Sequence, residues 1–245
     1  MIFGLMVMKD EEFRYLDACL KWNSAFVDEM FVYDDRSTDN SVEIAERYGT
    51  VAVRINGDSS FMEDEGRFRQ DAWHSFEATM KPSPGDWVFV FDADQFLTTP
   101  LSGDPSDVRD VLDRLMAEAV SYNSVDIPFK EIFEVDGLGN PHYRTDGFWN
   151  TIHAPHLFAY KEGGEYLQKS MGCGSVPMYV LKTSSKSNSK DLTVLHYGYA
   201  VFEDRVDKYD RYSSLDEHGH NPAHIQSILA KPSLAKWYGP HPVLS

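Results

Sequence analysis

The stretch GDWVFVFDADQF, residues 85–96, runs from five consecutive apolar residues into two carboxylates, Asp92 and Asp94. A continuous apolar run with valines among aromatics is typical of a strand covered on both faces, as in α/β sheets. Because side chains alternate along a strand, both acids project from one face at its carboxyl end, where open α/β sheets bind ligands. Two like charges held so close repel, and a cation between them is the usual remedy. An acidic turn after a strand explains the spacing equally well.

The composition is that of a chain able to bury a large core. Of its 245 residues, 42% are hydrophobic and 13% aromatic, which predicts one folded domain over 1–245. The net charge of −16 disfavours general nucleic-acid binding, which needs a basic surface. Cys19 and Cys173 are too few for a disulfide framework, and no basic leader or apolar run of membrane-spanning length is present. We therefore expect a soluble, cytoplasmic protein without a membrane span.

Strand and helix patterns alternate through the first half. The strand patterns cover 1–8, 29–35, 50–56 and 86–92. The helix patterns between and after them cover 11–26, 36–49, 66–80 and 105–119. This order predicts an α/β fold with a mostly parallel, twisted sheet and helices on both faces. In the first helix, Phe13, Leu16 and Leu20 share a face and are expected to be buried.

The pattern changes beyond residue 124. Two strand patterns, 124–135 and 156–167, are joined by a Gly- and aromatic-rich stretch at 136–151, and loops of that length are usually functional or mobile. The polar stretch 183–190 predicts a flexible connection, and 202–216 predicts a final helix. No linker separates the halves, so we expect the second half to extend the same sheet.

Four stretches in order resemble the family 2 glycosyltransferases, whose fold is called GT-A. They are VMKDEEFRYLDACLKW (7–22), VYDDRSTDNS (32–41), VFVFDADQF (88–96) and LHYGYAVFEDRVDKYDRY (195–212). The sequence departs from the family pattern at Asp10, where Asn is common, and at Arg36, which replaces a glycine. The resemblance covers 1–100 well and 100–190 thinly. It implies a nucleotide-sugar-binding half over 1–100, followed by an acceptor-side half with a closing helix over 101–245.

The resemblance also implies a metal site. Asp94 would bind the metal directly, Asp92 would contact the ribose or the metal, and His196 would supply a further ligand. Oxygen and imidazole ligands suit Mn²⁺, and oxygen ligands suit Mg²⁺. The departing diphosphate of a UDP- or GDP-sugar needs such a cation, or arginines, to balance its charge. For His196, a core histidine bonded to backbone is the alternative.

Further donor contacts are implied at three places, each with an alternative. Side-chain alternation puts Asp34 and Asp35 on opposite sides of their strand; Asp35 is the better match to the family's base-binding acid, and otherwise both cap the next helix. Near the diphosphate the family has an arginine, for which Arg67, with Gln70, is the candidate. The sequence does not separate Arg67 from Arg69, and a solvated helix face is the alternative. In the closing helix, Lys208 and Arg211 share a face and would reach the diphosphate; exposed salt bridges are the alternative.

The catalytic base is the least defined role. An inverting transferase needs a carboxylate to deprotonate the acceptor hydroxyl, and a retaining one does not. The stretch KSMGCGSVPMYV (169–180), where related members carry an acid, has none. The candidates elsewhere are Asp146, Glu131, Glu134 and Asp136. We favour Asp146 because Trp149 beside it offers a stacking surface for a sugar on a loop that resembles a lid; a surface loop acid is the alternative.

The sequence thus predicts a metal-dependent glycosyltransferase that uses a nucleoside-diphosphate sugar. The acceptor stays open among a glycan, a protein, a lipid-linked sugar and a modified nucleic-acid base. A sugar nucleotidyltransferase is the first alternative, but the opening GLMVMKDEE lacks the Gly-rich phosphate loop that such an enzyme needs. A non-catalytic nucleotide- or glycan-binding protein is the second.

Overall fold

The computed structural model describes residues 1–54, 64–100, 106–118, 123–168, 174–183, 186–214 and 222–244. The strands in these ranges are β1 Ile2–Met8, β2 Glu29–Asp34, β3 Thr50–Val53, β4 Trp87–Phe91, β5 Gln95–Thr98, β6 Ser124–Val135, β7 Pro141–Arg144, β8 His153–Ala159, β9 Lys186–Asn188, β10 Thr193–His196 and β11 Leu234–Lys236. The helices are α1 Leu16–Asn23, α2 Ser41–Ala45, α3 Glu65–Met80, α4 Ser106–Glu118, α5 Met178–Leu181, α6 Phe202–Ser214 and α7 Pro222–Ile228, with a 3₁₀ turn at Gly147–Asn150.

One sheet runs through the described strands in the order β11-β7-β6-β8-β4-β1-β2-β3. Four strands from the first half, β4, β1, β2 and β3, pair in parallel, while β5 pairs in antiparallel fashion with β10. On the other side of β4 the sheet continues with β8, β6 and β7, which pair in antiparallel fashion. The predicted α/β class is therefore confirmed, and the predicted parallel pairing describes the side of the sheet from β4 to β3.

Helices cover both faces of the sheet, as the sequence predicts. Along β4, Phe89 and Phe91 belong to the core on one face, while Val88 and Val90 belong to the core on the other. The first core receives apolar side chains of α1 and α4, and the second receives those of α3. The helix predicted over 66–80 presents residues at a spacing of four to this second core: Phe68, Ala72 and Phe76 are buried, and Met80 is half-buried.

The prediction for Phe13 is wrong. Phe13 is 89% exposed, because α1 begins only at Leu16 and residues 12–15 form turns before it. Asp10, with a φ of 52°, lies in the bend after β1. Its carboxylate accepts a hydrogen bond from the Thr38 amide at 2.7 Å. The apolar spacing of the first helix is thus real only from Leu16 onward.

Residues 136–151 also differ from the prediction of an open lid. The stretch contains β7, which pairs with β6 and with β11, and then the 3₁₀ turn. Asp136 holds the tight turn before β7 by accepting hydrogen bonds from the amides of Leu138 and Asn140, each at 2.9 Å. Within the predicted flexible connection, β9 pairs in parallel with β6. Both stretches are therefore built into the sheet.

Two further predictions concern cysteines and membranes. Cys19 is buried on α1, and Cys173 lies outside the described residues. In the part of the chain that the structure describes, no helix combines the length and apolar character needed to span a bilayer.

Candidate active site

The two acids of the opening stretch lie at the carboxyl end of β4, as predicted. The chain turns there into β5, which pairs with β10 so that His196 lies opposite Gln95. The Tyr197 amide donates a hydrogen bond to the Asp94 carbonyl at 2.9 Å and fixes the two segments together. As a result, Nε2 of His196 lies 3.4 Å from Oδ1 of Asp94. The structure therefore brings together two residues that are about a hundred positions apart in the sequence.

A third side chain orients the histidine. β10 also pairs with β6, which places Glu131 beside His196. Their side chains are joined by a bond of 2.6 Å between Oε2 and Nδ1. Burial lowers the pKa of His196, but the charges of Glu131 and Asp94 outweigh it and raise the pKa to about 10. A carboxylate on one imidazole nitrogen is a common support for a histidine that binds a metal through the other.

A glycine leaves room for these groups to converge. A Cβ atom on Gly198 would lie 2.6 Å from both Oδ2 of Asp94 and Nε2 of His196, and it would also collide with Nζ of Lys208. Lys208 comes from α6, so the closing helix delivers its ammonium to the carboxyl end of β4. We call Asp94, His196, Glu131 and Lys208 the Asp94 cluster.

Cations dominate the surroundings of Asp94. Burial raises the pKa of this carboxyl, but the charges of His196, Lys208 and Arg14 outweigh it and hold the pKa well below its usual range. Arg14 lies in the β1–α1 connection and donates a hydrogen bond to Asp204 of α6 at 2.8 Å. The first half of the chain and the closing helix thus meet beside Asp94.

Asp92 has a different environment. Its Oδ2 accepts a hydrogen bond from the Gln95 side chain at 2.9 Å. Burial raises its pKa, and the nearby Arg69 only partly counters this. Arg69 is buried, bonds Glu65 at 2.7 Å, and lines a narrow cleft with Asp92 and Tyr166.

The structure separates the two arginines that the sequence left open. Arg67 is exposed on α3, whereas Arg69 faces Asp92. Gln70, the other candidate for this region, accepts a hydrogen bond from the Tyr166 amide at 2.8 Å and donates one to the Gly164 carbonyl at 3.0 Å. Its described contacts hold the loop beside the cleft. Arg69 therefore replaces Arg67 as our candidate for the diphosphate side.

The residues fit a divalent cation in part. Oδ1 of Asp94 is buried and pairs with Nε2 of His196 at 3.4 Å, which is longer than a good hydrogen bond. One carboxylate oxygen and one imidazole nitrogen are ligands that Mn²⁺ accepts. Among the described residues, no three His, Cys, Asp or Glu side chains are already arranged to hold a metal. Asp92 would have to turn away from Gln95 to become the third ligand.

The acids after β2 have divided roles. Asp34 accepts hydrogen bonds from both the amide and the hydroxyl of Ser37, so it caps the turn that leads to α2. The Asp35 side chain is 1% exposed and lies 3.4 Å from Nη1 of the equally buried Arg54. Arg54 was not singled out by the sequence, because a lone arginine after a strand carries no pattern. A nucleotide base would reach Asp35 only by rearranging this ion pair.

The contacts of Asp146 disfavour the predicted role as a general base. Both of its oxygens accept hydrogen bonds from Arg144, at 2.9 and 2.7 Å, and one also accepts from the Ser233 amide at 3.0 Å. The bonds from Arg144 lower the pKa of Asp146 to about 2, so the carboxylate is a weak base. Trp149 is 2% exposed and packs against the Arg144 guanidinium at 5.0 Å, which leaves no surface for a sugar. We call Arg144, Asp146, Trp149 and Phe133 the Arg144 cluster.

The other base candidates are also engaged or remote. Glu131 holds His196, Asp136 holds its turn, and Glu134 is exposed on β6. Glu11, which the sequence did not single out, is close enough to Asp94 and Asp92 for their charges to act on it. Burial raises its pKa to about 7 despite the opposing charge of Arg14.

Comparisons with known proteins give a fold-level likeness only. No protein-family model matches the sequence, and no curated protein matches it significantly. Among 107 matching chains of solved structures is glucosyl-3-phosphoglycerate synthase from Mycobacterium tuberculosis, in complex with Mn²⁺, UDP and glucosyl-3-phosphoglycerate. It is 19% identical, with a TM-score of 0.36, over 53% of this chain and 44% of that one. Another structure of this synthase is 20% identical, with a TM-score of 0.37 over the same shares.

A further match is described as a mycobacterial protein. It is 16% identical, with a TM-score of 0.48, over 88% of this chain and 73% of that one. The match to the synthase described above, by contrast, spans less than half of that protein's length. At these identities and TM-scores, the ligands of those proteins are not evidence for this one.

Proposed function

We propose that this protein is a metal-dependent glycosyltransferase of GT-A type that uses a nucleoside-diphosphate sugar. The observation that carries the proposal is the Asp94 cluster, in which a buried carboxylate oxygen makes only a long ion pair of 3.4 Å with a histidine that Glu131 holds in place. It lies at the carboxyl end of a central parallel strand, where α/β sheets bind ligands. Four sequence stretches that resemble the family converge on this edge of the sheet.

Asp94 and His196 are the residues that would hold Mn²⁺ or Mg²⁺, with Asp92 as a candidate third ligand. A cation there supplies positive charge against the diphosphate as it departs. The chain adds its own cations, since Lys208 and Arg14 both act on Asp94 electrostatically. Glu131 keeps the Nε2 edge of His196 directed at Asp94.

The remaining donor contacts follow the sheet. We assign the base to the edge of β2, near Asp35 and Arg54, and the diphosphate to the edge of β4, near Asp92 and Arg69. The nucleotide is UDP or GDP in this proposal. The acceptor is a hydroxyl-bearing molecule of unassigned class, and Asp146 is not proposed as the base because Arg144 already occupies both of its oxygens.

A thermal-shift experiment with UDP, GDP and their glucose and mannose conjugates tests the proposal. A ligand at 100 times its Kd adds about 2.7 kcal/mol to stability, which raises the Tm of a chain of this size by roughly 5–10 °C. We expect such a shift for one nucleotide series with Mn²⁺ and a much smaller one with EDTA. Asp94→Asn should abolish the Mn²⁺-dependent part, and Asp210→Asn, at an exposed position of α6, should not.

Two outcomes would count against the proposal. If no nucleotide shifts the Tm of the wild-type protein with either metal, the donor assignment is wrong. If the shift is the same with EDTA, or persists in Asp94→Asn, the metal assignment is wrong. Binding without release of free sugar or transfer to any acceptor would favour the non-catalytic alternative.

A further inference from the structure

A buried histidine lies beside the proposed donor site without a role so far. His156 belongs to β8 and is 5% exposed. The next residue, Leu157, pairs with Phe89 of β4, so His156 lies next to Val90. The Val90 carbonyl interacts with the His156 ring. The Phe129 ring lies 5.0 Å from the His156 ring and 6.3 Å from the His196 ring, centroid to centroid. The two histidines thus share one aromatic neighbour.

His156 has a polar atom that the protein does not use. Its Nδ1 is buried and makes no hydrogen bond with the described residues. Burial, with smaller contributions from the charges of Arg69 and His196, outweighs the opposing effect of the Val90 carbonyl and lowers the pKa of His156 to about 4. The ring is therefore neutral at pH 7, and it lies within electrostatic reach of both the diphosphate side and the metal side of the site. A buried polar atom without a partner costs free energy, so its presence here calls for a partner.

The order of the strands indicates which part of the donor lies nearest. Along the sheet, β2 is followed by β1, then β4, then β8. In a nucleoside-diphosphate sugar the diphosphate lies between the base and the sugar. With the base assigned to β2 and the diphosphate to β4, the sugar extends over β8, where His156 lies.

We propose that His156 binds the transferred sugar through a hydrogen bond between its imidazole and a sugar hydroxyl. A hydroxyl both donates and accepts, so it matches either neutral tautomer of the ring. Because the residue is 5% exposed and its Nδ1 is buried, the contact requires the ring to turn about its soft Cβ–Cγ torsion toward the bound sugar. A neutral group in this position selects a hydroxyl-bearing sugar over one that carries a charge. This inference rests on the proposed donor site.

Calorimetric titrations with Mn²⁺ compare UDP with UDP-glucose, and GDP with GDP-mannose, in the wild type and in His156→Phe. Phenylalanine keeps the packing against Phe129 and removes the polar atoms. We expect the affinity for the nucleoside diphosphate to stay within about twofold, while the affinity for the sugar conjugate falls about 3- to 10-fold, the usual worth of one hydrogen bond. His156→Gln, which can still bond a hydroxyl, should recover part of the loss. His153→Gln, on the exposed part of β8, should change neither affinity.

The outcomes separate the two proposals. If the wild type binds none of the four ligands, the donor site itself is wrong. If it binds them and His156→Phe weakens both members of a pair equally, or neither, the sugar contact is wrong. If His156→Phe does not fold, as judged by its melting curve, the same comparison in His156→Gln decides: a conjugate affinity that falls with the diphosphate affinity overturns the inference, and a selective fall supports it.

Discussion

The Asp94 cluster and the Arg144 cluster are built from similar parts but differ in how fully their charges are satisfied. Each holds a carboxylate, a cation and an aromatic neighbour near one end of β6. In the Arg144 cluster both oxygens of Asp146 accept hydrogen bonds, and Arg144 also bonds the Ser227 carbonyl at 2.6 Å. In the Asp94 cluster, Oδ1 of Asp94 makes only a long ion pair of 3.4 Å with Nε2 of His196. The first arrangement is held by short hydrogen bonds, and the second leaves this carboxylate oxygen with a looser contact.

The difference between the clusters shows why residue types alone do not identify a functional site. Asp146 and Trp149 have the residue types of a catalytic lid, and their sequence neighbourhood contains the glycines expected of one. In the fold, those residues instead attach β7 and α7 to the sheet. A polar atom that lacks a partner after folding is the better indicator of a site.

The largest expected contrast is between Asp94→Asn and Asp146→Asn. We expect Asp94→Asn to weaken Mn²⁺-dependent nucleotide binding by more than about 100-fold, since loss of a direct ligand exceeds the usual effect of its supporting residues. Asp146→Asn should leave that binding within a few-fold and cost about 1–3 kcal/mol of stability, because part of the bonding to Arg144 is lost. Calorimetry measures the first effect and urea unfolding the second. Equal losses of binding in both variants would remove the distinction between the clusters.

Glu131→Gln tests whether the support of His196 matters to the metal. The variant keeps the shape of the side chain but replaces the carboxylate on Nδ1 with a neutral amide. We expect Mn²⁺ affinity to fall about 10- to 100-fold, as is usual for such supporting residues. Titration with Mn²⁺ in the presence of UDP or GDP measures it. An unchanged affinity would mean that Glu131 only balances charge in the metal-free protein.

The first half of the fold was predictable because its signals are local. The apolar run of β4 and the buried stripe of α3 can each be recognised within one short segment of sequence. Strands that alternate with helices along the chain are typical of parallel sheets. In the second half the predictions of β6 and α6 are also confirmed. The strands β7, β9 and β11 were not predictable, since they are three or four residues long and gain their stability from pairing with distant strands.

The site divides along the same line. Asp92 and Asp94 follow a recognisable strand, and the family resemblance added His196. Glu131, however, meets His196 across 65 residues, and Arg14 meets Asp204 across 190. Such pairs depend on strand register and on the docking of α6, which no local pattern records. The sequence offered Glu131 only as one of four candidate bases, in a strand pattern that also carries Asp126, Lys130 and Glu134.

Glu11 offers a test that depends on pH. Its pKa is raised from 4.5 to about 7 by burial, so the folded protein holds a proton that the unfolded chain releases. Stability from this residue is therefore fully present below pH 4.5 and is lost as the pH rises through 7. With EDTA present, the unfolding free energy of the wild type should fall by about 1–3 kcal/mol between pH 5 and pH 8 because of Glu11, and Glu11→Gln should not show this fall. Its unfolding free energy relative to wild type should therefore increase over that range; a constant difference would show that Glu11 is ionised throughout.

The smallest effect concerns a strained position at the base end of the proposed site. Arg36 has a φ of 62°, where the resembling family has glycine, and Lys81, which ends α3, has a φ of 52°. Glycine relieves the left-handed conformation but adds flexibility to the unfolded chain, so each substitution by glycine should stabilise by at most about 1 kcal/mol. Urea unfolding of Arg36→Gly and Lys81→Gly measures these gains.

If Arg36 serves only the turn, both variants bind nucleotide as the wild type does. If its side chain also contacts the donor, Arg36→Gly alone weakens nucleotide binding while it gains stability, which is the behaviour expected of strain kept for function.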